Sequence, residues 1–377
     1  MPIKDKVVNW YIQNVILPRK EIIDKPGFVL TTLSGTPQPI YLRDLFLPEQ
    51  LFELIENKIV QTYGEQGKQT LYSAGKKFGF LYSSMSNFPT INDSSKKDFR
   101  NFAYYLVKFV GGTYAKQATH KLDLEQKTFT LSLEDYIICR HNGLGYIMTD
   151  GSIAGTWAYA LQDKSIEGNQ LECQGRGDKR CFVLCAPKSK LQGQTHNFFY
   201  ETNLTEQLFD NTYKKLNEIR KTTYSKNSLN DLLNAGFLEY KRGILSYKDM
   251  RFFACDSHIL YILEHEITKL KDGEQLLFDA CAEYGKILRE TYGEKDYQKF
   301  ISDFFPALGY GDILAIDSDK LQIGALYYPW TIFSEESKYT ILRGMMSGIV
   351  SSSLGKKIDF KEFNIEISNY LTLTISA

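Results

Sequence analysis

Two stretches of the chain carry the same apolar pattern, and each predicts an amphipathic helix. Their hydrophobic residues recur at offsets of 3, 4 and 8, the spacing that aligns side chains on one helix face. The first stretch has Leu51, Leu54, Ile55 and Ile59, and the second has Ile259, Ile262, Leu263 and Ile267. The recurrence indicates an internal repeat, the sequence signature of a repeated structural unit.

The helices that follow also recur, and they carry paired glycines. Residues 71–79 match residues 277–285 in the size and spacing of their packing side chains, and the GSIAG motif at 151–155 matches GMMSG at 344–348. On a helix, the small residues of each motif share one side. Since a glycine inside a helix costs about 1 kcal/mol relative to alanine, we expect a helix or a sheet to approach that side closely. Packing alone would explain such a stripe.

Alternation with a period of two predicts antiparallel strands near each glycine-containing helix. In the first half, a turn-rich segment at 174–180 separates strand-like residues 171–173 from 181–185. In the second half, residues 363–367 and 371–375 predict the same hairpin with a shorter loop. The sequence therefore predicts, in each half, N-terminal helices followed by an antiparallel sheet with a late inserted helix, which is an α+β pattern.

The repeat predicts a tandem domain organisation. Residues 1–187 form the first copy with an N-terminal helical extension, residues 188–203 form a polar connector, and residues 204–377 form a degenerate second copy without the hairpin cysteines. A length of 377 residues suits two domains with full cores.

Composition and charge remove several classes of protein. The 45 Lys and Arg residues balance 45 Asp and Glu residues, which argues against a protein that works mainly by gripping nucleic acid or an anionic membrane. The beginning of the chain shows no secretory pattern, and no apolar run approaches membrane-spanning length. We therefore expect a cytoplasmic protein, whose six cysteines are too sparse for a disulfide framework.

A pair of cysteines is the sharpest candidate for chemistry. Cys173 and Cys181 flank the predicted hairpin turn, so cross-strand placement would bring them near each other. Two thiolates would supply half of a tetrahedral Zn²⁺ site, which Cys185, Cys139 or a carboxylate such as Glu172 would complete. Buried free thiols, which the loose spacing favours, and a redox disulfide are the alternatives.

No catalytic signature accompanies these cysteines. The sequence has no Walker A motif, no G-x-S-x-G elbow and no spaced histidine metal motif. Gly143 and Gly145 do not open a dinucleotide-binding fingerprint, because no third glycine follows and Tyr146-Ile147-Met148 is strand-like. Among the five histidines, His141 has the best placement for a ligand role because it lies near Cys139.

With these motifs in view, the first copy resembles the 4-vinyl reductase domain family. The matching pieces are residues 71–79, residues 151–155, and the segment from Leu171 through the Gly177-Asp178 turn to Cys181-Phe182-Val183. The second copy is similar in order but lacks both hairpin cysteines. Together the resemblance covers most of the chain outside the connector.

The resemblance implies a fold, a pocket and a metal. Domains of this family are α+β units related in fold to small subunits of vesicle-tethering complexes and to haem-based nitric-oxide sensor domains. Members serve as sensory modules of aromatic-responsive transcription activators and as accessory proteins of bacteriochlorophyll synthesis, and many form dimers. The resemblance therefore implies a pocket for a small molecule or tetrapyrrole and a structural zinc near the hairpin, without implying catalysis.

The sequence departs from the family's zinc pattern. Ile147 and Met148 occupy the region of an expected cysteine, and Gln170 stands where the family has a glutamate. We therefore expect about one zinc ion or none in the first copy and no metal in the second.

Three functions follow from this interpretation. The first is a noncatalytic binding or sensor protein that holds a small hydrophobic ligand, aromatic or tetrapyrrole-like, and signals through a protein partner. Its candidate pocket residues, for which ordinary core packing is the alternative, are Trp157, Tyr159, Phe182, Tyr327, Tyr328 and Trp330. The second is a scaffold or assembly factor, either a homodimer or a chain whose fused copies imitate one. The third is a vinyl reductase or an accessory protein of chlorophyll synthesis, disfavoured because no source of electrons is visible.

Overall fold

The computed structural model describes most of the chain and divides it into two compact units. It describes residues 7–8, 10–11, 22–33, 40–137, 147–191, 204, 225–241, 244–292, 296–317, 321–332, 337–367 and 371–377. The first unit consists of Met1–Lys20, Ile59–Glu206 and Tyr240–Ile244, and the second of Glu21–Lys58, Gln207–Glu239 and Leu245–Ala377. Residues 21–58 thus group with the second unit, although they precede the first unit's main segment in the chain.

The described residues form ten α-helices, numbered here in chain order. They are α1 Glu49–Tyr63, α2 Glu65–Met85, α3 Lys96–Tyr114, α4 Ile147–Ala160, α5 Lys188–Leu191, α6 Leu229–Asn234, α7 His258–Ile267, α8 Gly273–Tyr292, α9 Tyr297–Ala307 and α10 Thr340–Leu354. The predicted amphipathic helices at 51–59 and 259–267 correspond to α1 and α7. Their apolar stripes are buried, as the periodicity predicts, except that Leu54 is half-buried.

Fourteen strands occur in the same residues. They are β1 Ile22–Lys25, β2 Phe28–Leu33, β3 Ile40–Pro48, β4 Gln117–Asp123, β5 Thr128–Glu134, β6 Ile166–Glu172, β7 Cys181–Pro187, β8 Glu239–Lys241, β9 Ile244–Tyr247, β10 Met250–Asp256, β11 Asp312–Asp317, β12 Gln322–Leu326, β13 Glu362–Ile367 and β14 Leu371–Ser376. Helices and antiparallel sheets alternate in blocks, so the predicted α+β class is confirmed.

Two of the three described sheets have the same topology. The first unit contains a sheet in the order β4-β5-β7-β6, and the second contains β11-β12-β14-β13. In each, the last two strands form a hairpin that follows a helix, α4 in the first unit and α10 in the second. The two hairpins predicted from alternation are β6–β7 and β13–β14.

The third sheet takes strands from both halves of the sequence. Its order is β1-β2-β3-β10-β9-β8, so a three-strand block from residues 22–48 meets a three-strand block from residues 239–256. The central strands β3 and β10 are antiparallel, with Leu45 opposite Cys255. Backbone hydrogen bonding between β3 and β10 is the reason that residues 21–58 belong to the second unit.

Paired glycines let two helices approach each other in each unit. A Cβ atom on Gly151 or Gly155 of α4 would lie 2.1 Å from a carbonyl oxygen of α2. In the second unit, a Cβ on Gly348 of α10 would lie 1.9 Å from the carbonyl oxygen of Ala282 on α8. Non-hydrogen atoms cannot come so close, so the predicted approach to the small-residue stripe is confirmed, and the approaching element is a helix.

Several sequence predictions fall outside the described residues or are corrected. Ile147 and Met148 begin α4 rather than a strand, because their side chains are buried on a helix that packs against α2. Cys139, His141 and most of the predicted connector lie outside the described residues. Among the residues that are described, no helix is both long enough and apolar enough to span a membrane.

Candidate ligand-binding site

Three of the predicted pocket residues lie close together in the second unit. Tyr327 follows strand β12, and Trp330 lies in the 3₁₀-helix Pro329–Ile332. Tyr328 and Trp330 are fully buried, and their rings pack edge to face with centroids 4.4 Å apart. The Tyr327 ring lies 5.5 Å from that of Phe28. The short span between β12 and the 3₁₀-helix thus places adjacent aromatic residues against a common core.

Tyr339 extends this cluster. Its ring centroid lies 6.0 Å from that of Tyr328, and the side chain is fully buried. Its backbone is left-handed, with φ of 53° at the N-cap of α10, a conformation that non-glycine residues seldom adopt. The Tyr339 hydroxyl and the Trp330 Nε1 are buried without hydrogen-bond partners among the described residues. Buried polar atoms are usually satisfied, so these two are exceptions within the core of the second unit. We call Tyr328, Trp330 and Tyr339 the aromatic cluster.

Glu264 of α7 holds the start of α10 in place. Its carboxylate accepts hydrogen bonds of 3.1 Å from the Ser337 hydroxyl and from the Ile341 backbone N–H. Burial raises the pKa of Glu264, while the donors at Ile341, Thr340 and Ser337 oppose that rise. A carboxylate at a helix N-terminus satisfies backbone donors that have no partner within the helix. Glu264 thereby positions the Tyr339 backbone.

The ionisable groups around the aromatic cluster favour their protonated forms. Burial raises the pKa of Tyr328 well above its usual value, and the charge of Glu264 adds to the shift. Burial likewise raises the pKa of Tyr339. The Cys281 thiol is buried, and its pKa rises for the same reason, with Glu264 contributing. Phenols and a thiol in this state donate hydrogen bonds but are poor nucleophiles.

A buried arginine on β3 belongs to the same region and is missing from the sequence predictions. Arg43 is 1% exposed. Its Nη2 donates hydrogen bonds to the carbonyl oxygens of Gly27 and Gly309, at 3.3 and 3.4 Å, and its guanidinium lies 4.7 Å from the centre of the Phe28 ring. Nε and Nη1 are buried without hydrogen-bond partners in the described part of the chain.

The pKa of Arg43 depends on its burial and on Tyr328, a member of the aromatic cluster. Burial lowers the pKa of Arg43 to about 9, and its interaction with Tyr328 works in the opposite direction. The sequence does hold a signal for this residue, because Arg43 and Asp44 interrupt an otherwise apolar strand, IYLRDLFLP. Both neighbours in that strand, Leu42 and Leu45, are buried, so the strand lies within the core.

The predicted pocket residues of the first unit contact different neighbours among the described residues. Trp157 stacks on Phe129 with centroids 3.9 Å apart, in the core between α4 and the sheet. Tyr159 is half-buried and packs edge-on against Phe80, and Phe182 lies under the Arg180 guanidinium at 5.0 Å. The three aromatic side chains therefore have separate packing partners.

The cysteine residues near the hairpin are buried. Cys173 and Cys181 lie at the two ends of the turn between β6 and β7, where the Gln174 N–H approaches the Cys181 Sγ at 3.5 Å. Glu172 forms a two-point ion pair with Arg180 instead of facing the thiols. Cys185 lies further along β7, where burial raises its pKa and the charges of Asp150 and Glu167 add to the shift.

The described residues by themselves do not assemble a metal site. No group of three or more His, Cys, Asp or Glu side chains among them is placed to hold a metal ion. Glu172 is occupied by Arg180, and Cys139 lies outside the described residues. The zinc ion therefore stays a prediction that rests on Cys173 and Cys181.

A second group of buried polar residues, also absent from the sequence predictions, connects α2, α4 and β6 in the first unit. Glu167 accepts hydrogen bonds of 2.7 Å from the Lys76 Nζ and 2.6 Å from the Tyr72 hydroxyl. Asp150 is 1% exposed, and neither carboxylate oxygen has a hydrogen bond of standard geometry to another described residue. Burial raises the pKa of Asp150 well above its usual value, the Gln170 backbone opposes this in part, and Glu167 adds to it.

A cavity of about 460 Å³ lies at the surface of the second unit. Its lining includes Glu274 at the start of α8, and Arg343, Asp359 and Lys361. Arg343 donates to Glu274 at 2.7 Å and lies over the Phe363 ring, whose centroid is 5.4 Å from that of Tyr339. Arg343 and Phe363 thus connect the cavity lining to the aromatic cluster.

Comparisons with known proteins do not assign a family. No protein-family model matches the chain, and no curated protein matches it. Among solved structures, it is similar to the phenol-responsive sensory domain of the transcription activator PoxR with phenol, at 13% identity and a TM-score of 0.31. The match covers 51% of this chain and 94% of that one. A similarity this low carries no functional argument, so the 4-vinyl reductase assignment stays a prediction.

Proposed function

We propose that this chain is a noncatalytic small-molecule-binding protein, a sensor in type, whose second unit holds a small aromatic ligand at the aromatic cluster. The observation that carries the proposal is the pair of unsatisfied polar atoms, Trp330 Nε1 and the Tyr339 hydroxyl, in a fully buried aromatic setting. Ligand sites combine apolar and aromatic walls with a few placed polar groups. A planar ligand with a polar substituent would contact the rings and satisfy these atoms.

The chemistry of the neighbouring groups supports binding over catalysis. Cys281, Tyr328 and Tyr339 all have raised pKa values because they are buried. A nucleophile or general base needs the opposite tuning, towards the deprotonated form near neutral pH. These residues are instead suited to donate hydrogen bonds to a bound molecule. The sequence resemblance to a family that includes sensory modules agrees with this role.

Calorimetric titration of the full chain tests the proposal. The probes are phenol, benzamide and benzoate, and the variant is Trp330→Phe, which keeps a ring but removes the indole N–H. We expect saturable binding of at least one probe and a loss of affinity of about 3- to 10-fold in Trp330→Phe, the effect of one hydrogen bond. Trp157→Phe, in the first unit, is the matched control and should leave affinity unchanged.

Two results would contradict the proposal. One is the absence of saturable binding for all three probes, and the other is equal binding by wild type and Trp330→Phe. Circular dichroism of each variant establishes that it is folded before affinities are compared.

A zinc ion in the first unit belongs to the same proposal. Cys173 and Cys181 would supply two ligands, and Cys139 would supply a third. Cys185 lies four residues beyond Cys181 on the same strand, about 13 Å away at a strand rise of about 3.3 Å per residue, which is too far to share one ion with it. Elemental analysis of the purified chain should find about one zinc ion per chain, and Cys173→Ser should remove it. Full zinc content in Cys173→Ser, or about two ions per chain, would overturn this assignment.

A scaffold role is the second candidate, favoured by the sheet in which β3 and β10 pair. Strands from both halves of the sequence complete one sheet, as two copies of a dimer would, and fusion makes that pairing intramolecular. Native mass spectrometry should therefore find a single chain. A homodimer that survives dilution would count against an intrachain pseudo-dimer.

A further inference from the structure

We propose that the ligand of the second unit is a small aromatic carboxylate and that Arg43 binds its carboxylate group. This inference rests on the proposed ligand-binding function and adds the chemical class of the ligand. It is carried by the unsatisfied guanidinium nitrogens of Arg43, which lie in the same unit as the aromatic cluster.

The hydrogen-bonding capacity of the site selects an acceptor. Arg43 Nε and Nη1 and Trp330 Nε1 are all buried without hydrogen-bond partners in the described part of the chain. Guanidinium and indole nitrogens only donate hydrogen bonds. A group that satisfies the Arg43 nitrogens must therefore present acceptor oxygens, and a carboxylate presents two in the fork geometry that a guanidinium matches.

The charge of Arg43 selects an anion over a neutral acceptor. The partners of the guanidinium in the described residues are two carbonyl oxygens and the Phe28 ring. None of these carries a negative charge. A buried charge is costly unless it is paired, so an anionic ligand would gain more from this position than a neutral analogue of the same shape.

The surroundings of Arg43 select an aromatic body for the ligand. The guanidinium lies against Phe28, whose ring contacts Tyr327, the residue that precedes Tyr328. Tyr328 in turn packs against Trp330 at 4.4 Å. Aromatic side chains favour edge-to-face and offset contacts with another ring. The Arg43 guanidinium therefore lies beside aromatic side chains, which favour an aromatic ligand.

Calorimetric titration with a matched pair of probes tests the inference. Benzoate and benzamide have nearly the same shape and differ in charge. In the wild-type chain we expect benzoate to bind about 10- to 100-fold more tightly than benzamide, the effect of a charge-assisted hydrogen bond. Arg43→Met should abolish this preference and retain benzamide binding, and Arg43→Lys should give an intermediate preference because it keeps the charge without the fork.

The control and the opposing outcomes separate this inference from the proposed function. Arg289→Met removes an arginine of α8 that donates to Ser353, and it should leave the preference unchanged. Equal binding of benzoate and benzamide by wild type overturns the carboxylate assignment and leaves aromatic binding intact. Binding of neither probe, together with no binding of phenol, overturns the proposed function itself. If Arg43→Met does not fold, the wild-type preference and Arg43→Lys decide the question.

Discussion

A Cβ atom on Gly75 of α2 would lie 1.9 Å from the carbonyl oxygen of Met148 on α4. The reverse contacts, from Gly151 and Gly155 towards the α2 backbone, are nearly as short, at 2.1 Å. The two helices therefore meet backbone to backbone, with glycines on both sides. This contact sets the depth at which α4 lies and hence the position of Asp150 beside Glu167.

Gly75→Ala should destabilise the first unit. Helix propensity alone would stabilise the variant by about 1 kcal/mol, but the added methyl group displaces α4, and overpacking costs about 1–3 kcal/mol or more. Thermal unfolding followed by circular dichroism measures the net effect. Gln69→Ala, an exposed position on the same helix, should change stability by less than about 0.5 kcal/mol. A stabilised Gly75→Ala would show that the helices are not in contact.

Removing one partner of the Lys76–Glu167 ion pair should destabilise the protein more than removing both. Both side chains are almost fully buried, so Lys76→Met would leave an unpaired carboxylate in the core at a cost of about 3–5 kcal/mol. Lys76→Met/Glu167→Gln removes both charges and should recover most of the loss. Urea denaturation of the wild type, the single variant and the double variant measures the recovery. A double variant no more stable than Lys76→Met would contradict the assigned pairing.

The pKa of Asp150 predicts a pH-dependent stability. Burial raises that pKa in the folded state, so the folded chain holds a proton that the unfolded chain releases above its ordinary pKa near 4. The free energy of unfolding should consequently fall as pH rises from about 4 towards the pKa of Asp150 in the folded state, by up to about 1.4 kcal/mol per pH unit. Asp150→Asn should remove that loss, exceeding the wild type in stability at pH 7 and matching it most closely below pH 4. Denaturation curves from pH 3 to pH 8 test this, and parallel profiles for both proteins would refute it.

Glu264→Ala should loosen the beginning of α10. The substitution removes the acceptor of the Ile341 N–H and should cost about 1–3 kcal/mol, the penalty of an unsatisfied buried donor. Hydrogen exchange of a peptide covering residues 337–345 should accelerate, because Ser337 also loses its partner. Glu290→Ala, which removes an exposed partner of Lys286, should leave exchange there unchanged. Unaltered exchange in Glu264→Ala would argue against the capping role.

Elements with strong local periodicity were predictable. The stripes of α1 and α7, the hairpins β6–β7 and β13–β14, and the close approach to α4 and α10 all follow from spacing within one segment. The segment Tyr146-Ile147-Met148 shows the limit of that reasoning, because short apolar runs suit a strand and a buried helix end equally well. Packing against α2 decides that Ile147 and Met148 are helical.

The candidate site was predictable only in part. Tyr327, Tyr328 and Trp330 are neighbours in sequence, and their grouping requires little from the fold. Arg43 could not be placed with them, because nearly 300 residues separate it from Tyr328 and an arginine in a strand usually faces solvent. Lys76 and Glu167 in the first unit are also distant in the sequence, 91 residues apart.

The amino-acid sequence by itself determined the local elements, their repetition and the α+β class, because periodicity and glycine spacing act within a few turns or strands. Only the tertiary structure decided that β3 pairs with β10, that residues 21–58 join the second unit, and that Arg43 is buried near the aromatic cluster. Strand pairing and the burial of a charged side chain depend on which distant segment of the chain packs against a strand, and the local sequence pattern does not specify that segment.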